Sequence, residues 1–252
     1  MLDTHCHLND IQFSEDLNQV ITNFLFAGVN KAITIGCDPQ SNVEAIELAK
    51  KYESVFCAVG IHPDDCNKYD EAQLENLLKN KDNKLVAVGE IGLDYFHNKE
   101  NKEEQIKVFE SQIKLAKKYK LPIVIHCREA YGDTLEVLKR NAPFEFGAVM
   151  HCYSGSWDFA KELLKLGVKF SFTGTVTYKN AKNVQEVAKN LPLDSFFFET
   201  DSPYLAPTGY RGQRNEPKHV VEVAKFVANL REMPFEDLVK TTDKNAKKFF
   251  KI

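Results

Sequence analysis

Short runs of β-branched, aliphatic and aromatic residues alternate along the chain with longer segments whose apolar positions recur three and four residues apart. The runs predict strands at residues 1–7, 31–37, 54–60, 84–91, 121–127, 146–152, 168–173 and 195–200. Helical periods follow at 14–27, 42–52, 72–80, 102–119, 134–141, 158–166 and 182–190, and two more, 218–230 and 235–249, close the chain. Runs such as LVAVGEIG and LPIVIHC are apolar on both faces, as parallel strands covered on two sides require. Eight βα units in 252 residues, with no linker-like shift of composition and no internal repeat, predict an α/β fold: a (β/α)8 TIM barrel forming a single domain over 1–252. A doubly wound open sheet is the alternative. It places a glycine-rich phosphate turn after the first strand, where this chain has Asp3-Thr4-His5-Cys6-His7.

Composition narrows the function. With 33 basic and 36 acidic side chains the formal charge is −3, so a nucleic-acid substrate needs locally placed cations rather than a basic surface. No apolar run approaches the roughly 20 residues of a membrane helix. The opening MLDTHCHLND lacks the basic and then apolar segments of an export signal. Six cysteines, at 6, 37, 57, 66, 127 and 152, form no CxxC pair. Reduced thiols in the cytoplasm are the expectation, with no membrane association and no obligate protein partner.

In such a barrel the C-terminal ends of the strands form the catalytic face. Five of the seven histidines fall there: His5 and His7, His62, His126 and His151, joined by Glu90 and Asp201. Alternation along a strand turns His5 and His7 to one side, and pairs His126 with Arg128, His151 with Tyr153, and Glu199 with Asp201. By the same rule Cys6, Cys127 and Cys152 point away from the lumen as small packing residues. A single strand histidine is ordinarily a hydrogen-bonded rim residue. Four histidines and two acids converging on one mouth, however, form a costly cluster of titrating groups unless a cation organises them. Glu90 reads as an ion-paired rim carboxylate or, more sharply, as a bridge between two divalent ions. Asp94 either orients a ligand or sits exposed in a loop, while His97 and His219 read as surface residues.

The stretches Asp3–His7, Gly60-Ile61-His62-Pro63, Gly89–Tyr95, His126-Cys127-Arg128, His151–Gly155 and Glu199–Pro203 resemble the TatD family of metal-dependent deoxyribonucleases, within the amidohydrolase-like superfamily. The resemblance runs from residue 3 to at least Pro217, and the six motifs in this order are highly specific. It implies two divalent cations, Mg2+, Mn2+ or Zn2+. One would be held by His5, His7 and Asp201, the other by His126 and His151, with Glu90 shared. It also implies hydrolysis of phosphodiester bonds in DNA, often from a 3′ end, while similar proteins are linked to D-aminoacyl-tRNA deacylation.

That chemistry assigns further roles. Asp201 is the expected general base, and His62, Arg128 or a metal-bound water assists the leaving group or the developing charge. The stretch GYRGQRNEPKH brings Arg211, Arg214 and Lys218 to a loop after the eighth strand, with Arg211 and Arg128 as phosphate contacts. Tyr153 and Tyr210 either stack on unpaired bases or simply pack at the rim. Three functions compete: a nuclease for single-stranded or 3′-terminal DNA, a carboxylic ester or amide hydrolase using the same cations, and an inert metal-stabilised binding barrel.

Overall fold

The computed structural model describes residues 1–252. Eight strands lie parallel in sequence order: β1 (Leu2–Cys6), β2 (Lys31–Ile35), β3 (Val55–Val59), β4 (Leu85–Asp94), β5 (Ile123–Arg128), β6 (Ala148–Met150), β7 (Lys169–Phe172) and β8 (Phe196–Phe198). Between β8 and β1 the seam is closed by a bridge of Cys6 with Ser202, by His7 N–H to Ser202 O at 2.7 Å and by Asp201 N–H to His5 O at 2.9 Å. The predicted (β/α)8 barrel is the fold.

The helices α1 (Leu17–Phe26), α2 (Pro39–Lys51), α3 (Glu71–Lys79), α4 (Lys102–Tyr119), α5 (Tyr131–Asn141), α6 (Trp157–Lys165), α7 (Lys182–Asn190), α8 (Val220–Leu230) and α9 (Phe235–Phe250) complete it. Their apolar stripes pack on the outer faces of the strands and bury most of the core. A second apolar cluster joins Ile33, Ile35, Val124, Val149 and Phe197 of the strands to Ala246 and Phe250 of α9. Since Asp243 of α9 accepts from Leu2 N–H at 3.0 Å, the last helix seals the N-terminal end of the barrel. The lumen is therefore reached from the opposite mouth.

β4 is the longest strand and carries both Glu90 and Asp94 to that mouth. Its passage depends on Gly92, where φ is +147° and a Cβ would lie 2.0 Å from the carbonyl oxygen of His126. Gly92→Ala should cost about 3 kcal/mol of stability, combining backbone strain with overpacking. Urea unfolding checks it, and a loss below about 1 kcal/mol contradicts the tight β4–β5 contact. None of the helices is long and apolar enough to cross a membrane.

Candidate metal centre

Glu90 stands at the centre of the mouth, 3% exposed, with its two oxygens facing different histidines. Oε1 lies 2.6 Å from His151 Nε2 and 2.9 Å from His126 Nδ1. Oε2 lies 3.3 Å from His5 Nε2 and 3.9 Å from His7 Nε2. Asp201 completes the second group, with Oδ1 at 3.3 Å from His7 Nε2 and 3.6 Å from His5 Nε2. Two overlapping clusters thus share one carboxylate. His5, His7 and Glu90 form one, and Glu90, His126 and His151 the other.

Neighbouring groups aim the rings. His7 turns Nδ1 to the carbonyl of Ile35 at 3.1 Å, which leaves Nε2 for the mouth. His126 turns Nε2 to Asp94 Oδ2 at 2.9 Å, so Nδ1 faces Glu90, the carboxylate–histidine arrangement common behind metal ligands. His62 Nδ1 accepts from Asp64 N–H at 3.2 Å, so Nε2 carries the ring hydrogen and points toward Glu90 Oε1 at 3.8 Å.

The electrostatics suit a cation. Burial is the largest influence on Glu90 and by itself raises its pKa, yet His151, His126 and His5 reverse this and hold it well below the carboxylate range. Burial likewise disfavours a charged His151, but Glu90 and Glu199 raise its proton affinity well above that of free imidazole. An anionic nitrogen–oxygen cage that binds a proton so strongly fits a divalent ion in its place, because proton and metal compete for the same donors. The buried Nδ1 atoms of His5 and His151 have no hydrogen-bond partner. For His62, burial and then the nearby His126 push the pKa down to about 3, so the ring is neutral.

The remaining expectations divide. Arg128 lines the mouth with its guanidinium 4.0 Å over the Phe96 ring. Arg211 is exposed on the rim loop, 4.6 Å over Tyr178 and off the wall of the central cavity. Arg214 and Lys218 are committed to ion pairs, with Asp16 and Glu216. Tyr153 is corrected: it is 2% exposed, packed edge-on to Phe170 at 5.0 Å, and donates to Ser156 O, out of reach of any base. Strand alternation fails there because β6 ends at Met150 and Cys152 has φ +43°, which turns the next side chain away from the lumen and against Phe159 and Phe170. For the same reason Cys152 lines the mouth instead of facing away. Tyr210 stacks on His219 at 4.2 Å. His219 is itself buried on Asn215 and so departs from the surface expectation, whereas His97 is exposed as expected, with Nδ1 3.0 Å from Asp94 at the mouth.

Several residues that shape the mouth were not singled out from the sequence. Gln112 of α4 brackets Ile61, accepting from its N–H at 2.8 Å and donating to its carbonyl at 3.0 Å, and so fixes the chain at His62. One heptad earlier, Gln105 does the same for Asp94, at 2.9 Å on both sides. Asn42 of α2 brackets Gly60. Amides inside an otherwise apolar helical face were the available signal. Cys37 approaches Glu90 Oε2 at 3.7 Å, and burial pushes its thiol up to about 11.

A barrel whose mouth gathers clustered histidines and carboxylates in this way defines a metal-dependent hydrolase. Residues 2–251 match the family described as TatD related DNase, and the chain belongs to that family. It is 41% identical over 255 residues to the uncharacterized metal-dependent hydrolase YabD of Bacillus subtilis, covering 100% of this chain and 99% of that protein. YcfH of Escherichia coli, described in the same words, is 32% identical over 256 residues, covering 100% and 96%. The crystal structure of YjjV, a TatD homolog from Escherichia coli, matches with a TM-score of 0.96 at 33% identity, over 100% of this chain and 98% of that one.

Proposed function

We propose that the chain, working as one hydrolase domain over 1–252, cleaves phosphodiester bonds at the 3′ end of single-stranded DNA. The observation that carries this reading is the split of Glu90, with Oε1 toward His126 and His151 and Oε2 toward His5 and His7. In it, His5, His7 and Asp201 hold one divalent cation, His126 and His151 the other, and Glu90 both. Imidazole and carboxylate donors together suit Mn2+ or Zn2+ by softness, and Mg2+ where it is abundant. Bound cations would neutralise the scissile phosphate and acidify the attacking water.

The chain's own groups supply the rest. Asp201, deprotonated and beside the attacking position, takes the proton of the water. His62, neutral and carrying its hydrogen on Nε2, donates to a phosphate oxygen or to the departing oxygen, as a preorganised dipole rather than a charged acid. Arg128 and Arg211 grip flanking phosphates.

The wall of the mouth argues for a short footprint. It presents seven carboxylates and, histidines aside, a single basic side chain, Arg128. Four charges from two dications leave it anionic, so it favours a strand end over a long polyanion. The predicted salt response follows. Arg128→Ala should raise KM on an oligonucleotide about tenfold and reduce the dependence of log affinity on log salt by about one. Kinetics at several ionic strengths measure this, and an unchanged slope removes Arg128 from phosphate contact.

The same acidic wall favours a second reading, an aminoacyl ester whose ammonium lies near Asp64, where Oδ1 is buried without a partner. Chelation followed by Mn2+ add-back on labelled single-stranded DNA, duplex DNA and D-aminoacyl-tRNA tests both. Metal-restored release of nucleotides from the single strand supports the nuclease. Turnover of the aminoacyl ester alone replaces it with the second reading.

A further inference from the structure

Beneath the mouth the rings of His5 and His151 stack with centroids 4.1 Å apart and planes within 11°. Both rings are buried, and Nδ1 of each lacks a hydrogen-bond partner. A nitrogen of each ring and an oxygen of Glu199 lie within 4.8 Å of one another, and His151 Nδ1 is 3.5 Å from Glu199 Oε1. Glu199 is 1% exposed. It is tethered by Cys152 N–H at 2.6 Å, Ser171 Oγ at 2.6 Å and Thr4 Oγ1 at 3.5 Å, and its one ion-pair contact is with His151.

A neutral imidazole that offers Nε2 to a cation must carry its hydrogen on Nδ1. Leaving two such buried donors without an acceptor is expensive, and so is burying a carboxylate that no lysine or arginine neutralises. His151 Nδ1 meets Glu199 at 3.5 Å, while His5 belongs to the same cluster at longer range and must close on the carboxylate. We infer that Glu199 is a positioning residue shared by both cation sites, accepting the Nδ1 hydrogens of His151 and His5 and so keeping each Nε2 turned to the mouth. His151 belongs to the Oε1 side of Glu90 and His5 to the Oε2 side, so one carboxylate beneath the centre supports a ligand in each half. The inference rests on the two-cation reading above.

Calorimetric titration of Mn2+ into the chelator-stripped full chain tests it, comparing wild type with Glu199→Gln. Both binding steps should weaken together by about 10–100-fold, the usual effect of losing a group that orients metal ligands. Weakening of neither step, or of one alone, overturns the shared role. Fewer than two ions bound by wild type overturns the two-cation reading, and this inference with it. Since Glu199 also anchors the backbone at Cys152, a second measurement needs no variant. Long-range proton–nitrogen NMR of the Zn2+-loaded wild type reads ring tautomers directly. Hydrogen on Nδ1 of both His5 and His151 is expected, and a bare Nδ1 on either ring overturns the proposal.

Discussion

Glu90→Gln should lower kcat/KM on single-stranded DNA on the order of 10³-fold, while the barrel stays folded, because it removes the one charge common to both halves of the centre. The amide has nearly the shape of the carboxylate but a single acceptor oxygen, so it cannot face His126 and His151 with one oxygen and His5 and His7 with another. Each cation contributes several kcal/mol of transition-state stabilisation in such sites, and the weakening of both sets the size of the effect. Circular dichroism and thermal melting establish folding, and steady-state kinetics with excess Mn2+ read the loss. A rate within about tenfold of wild type would remove Glu90 from the bridging position.

Asp201→Asn should reduce kcat by about 10²–10⁴-fold, the range for removal of a general base, with a smaller loss of metal affinity. Asn retains an oxygen at the place where Asp201 Oδ1 meets His7 and His5 at 3.3 and 3.6 Å, but it cannot accept a proton. The ratio of the two losses is the informative quantity. If turnover and Mn2+ binding fall in the same proportion, Asp201 is a ligand only. A fall in turnover that persists at saturating Mn2+ establishes the base.

Legibility in the sequence followed from how local each signal was. The strand and helix periods predicted the barrel because inward and outward packing repeat with fixed spacing, and all eight predicted strands are present. The histidines and carboxylates at strand ends were legible for the same reason: position in a βα unit gives position at the mouth. Tyr153 was misread because alternation holds only inside a strand, and the left-handed backbone at Cys152 lies just beyond β6. The amide brackets of Gln105, Gln112 and Asn42 depend on contacts between a helix and a distant strand end, which spacing alone does not encode. Asp94 had two readings of equal merit. Its side-chain contact with His126, on a backbone bracketed by the Gln105 amide, decides for the orienting role.

The central claim is that Glu90 joins two cations. Anomalous diffraction at the manganese edge from crystals grown with Mn2+ tests it most directly. The account predicts two peaks flanking the Glu90 carboxylate, one among His5, His7 and Asp201 and the other between His126 and His151. A single peak, or a pair of peaks away from Glu90, would contradict it.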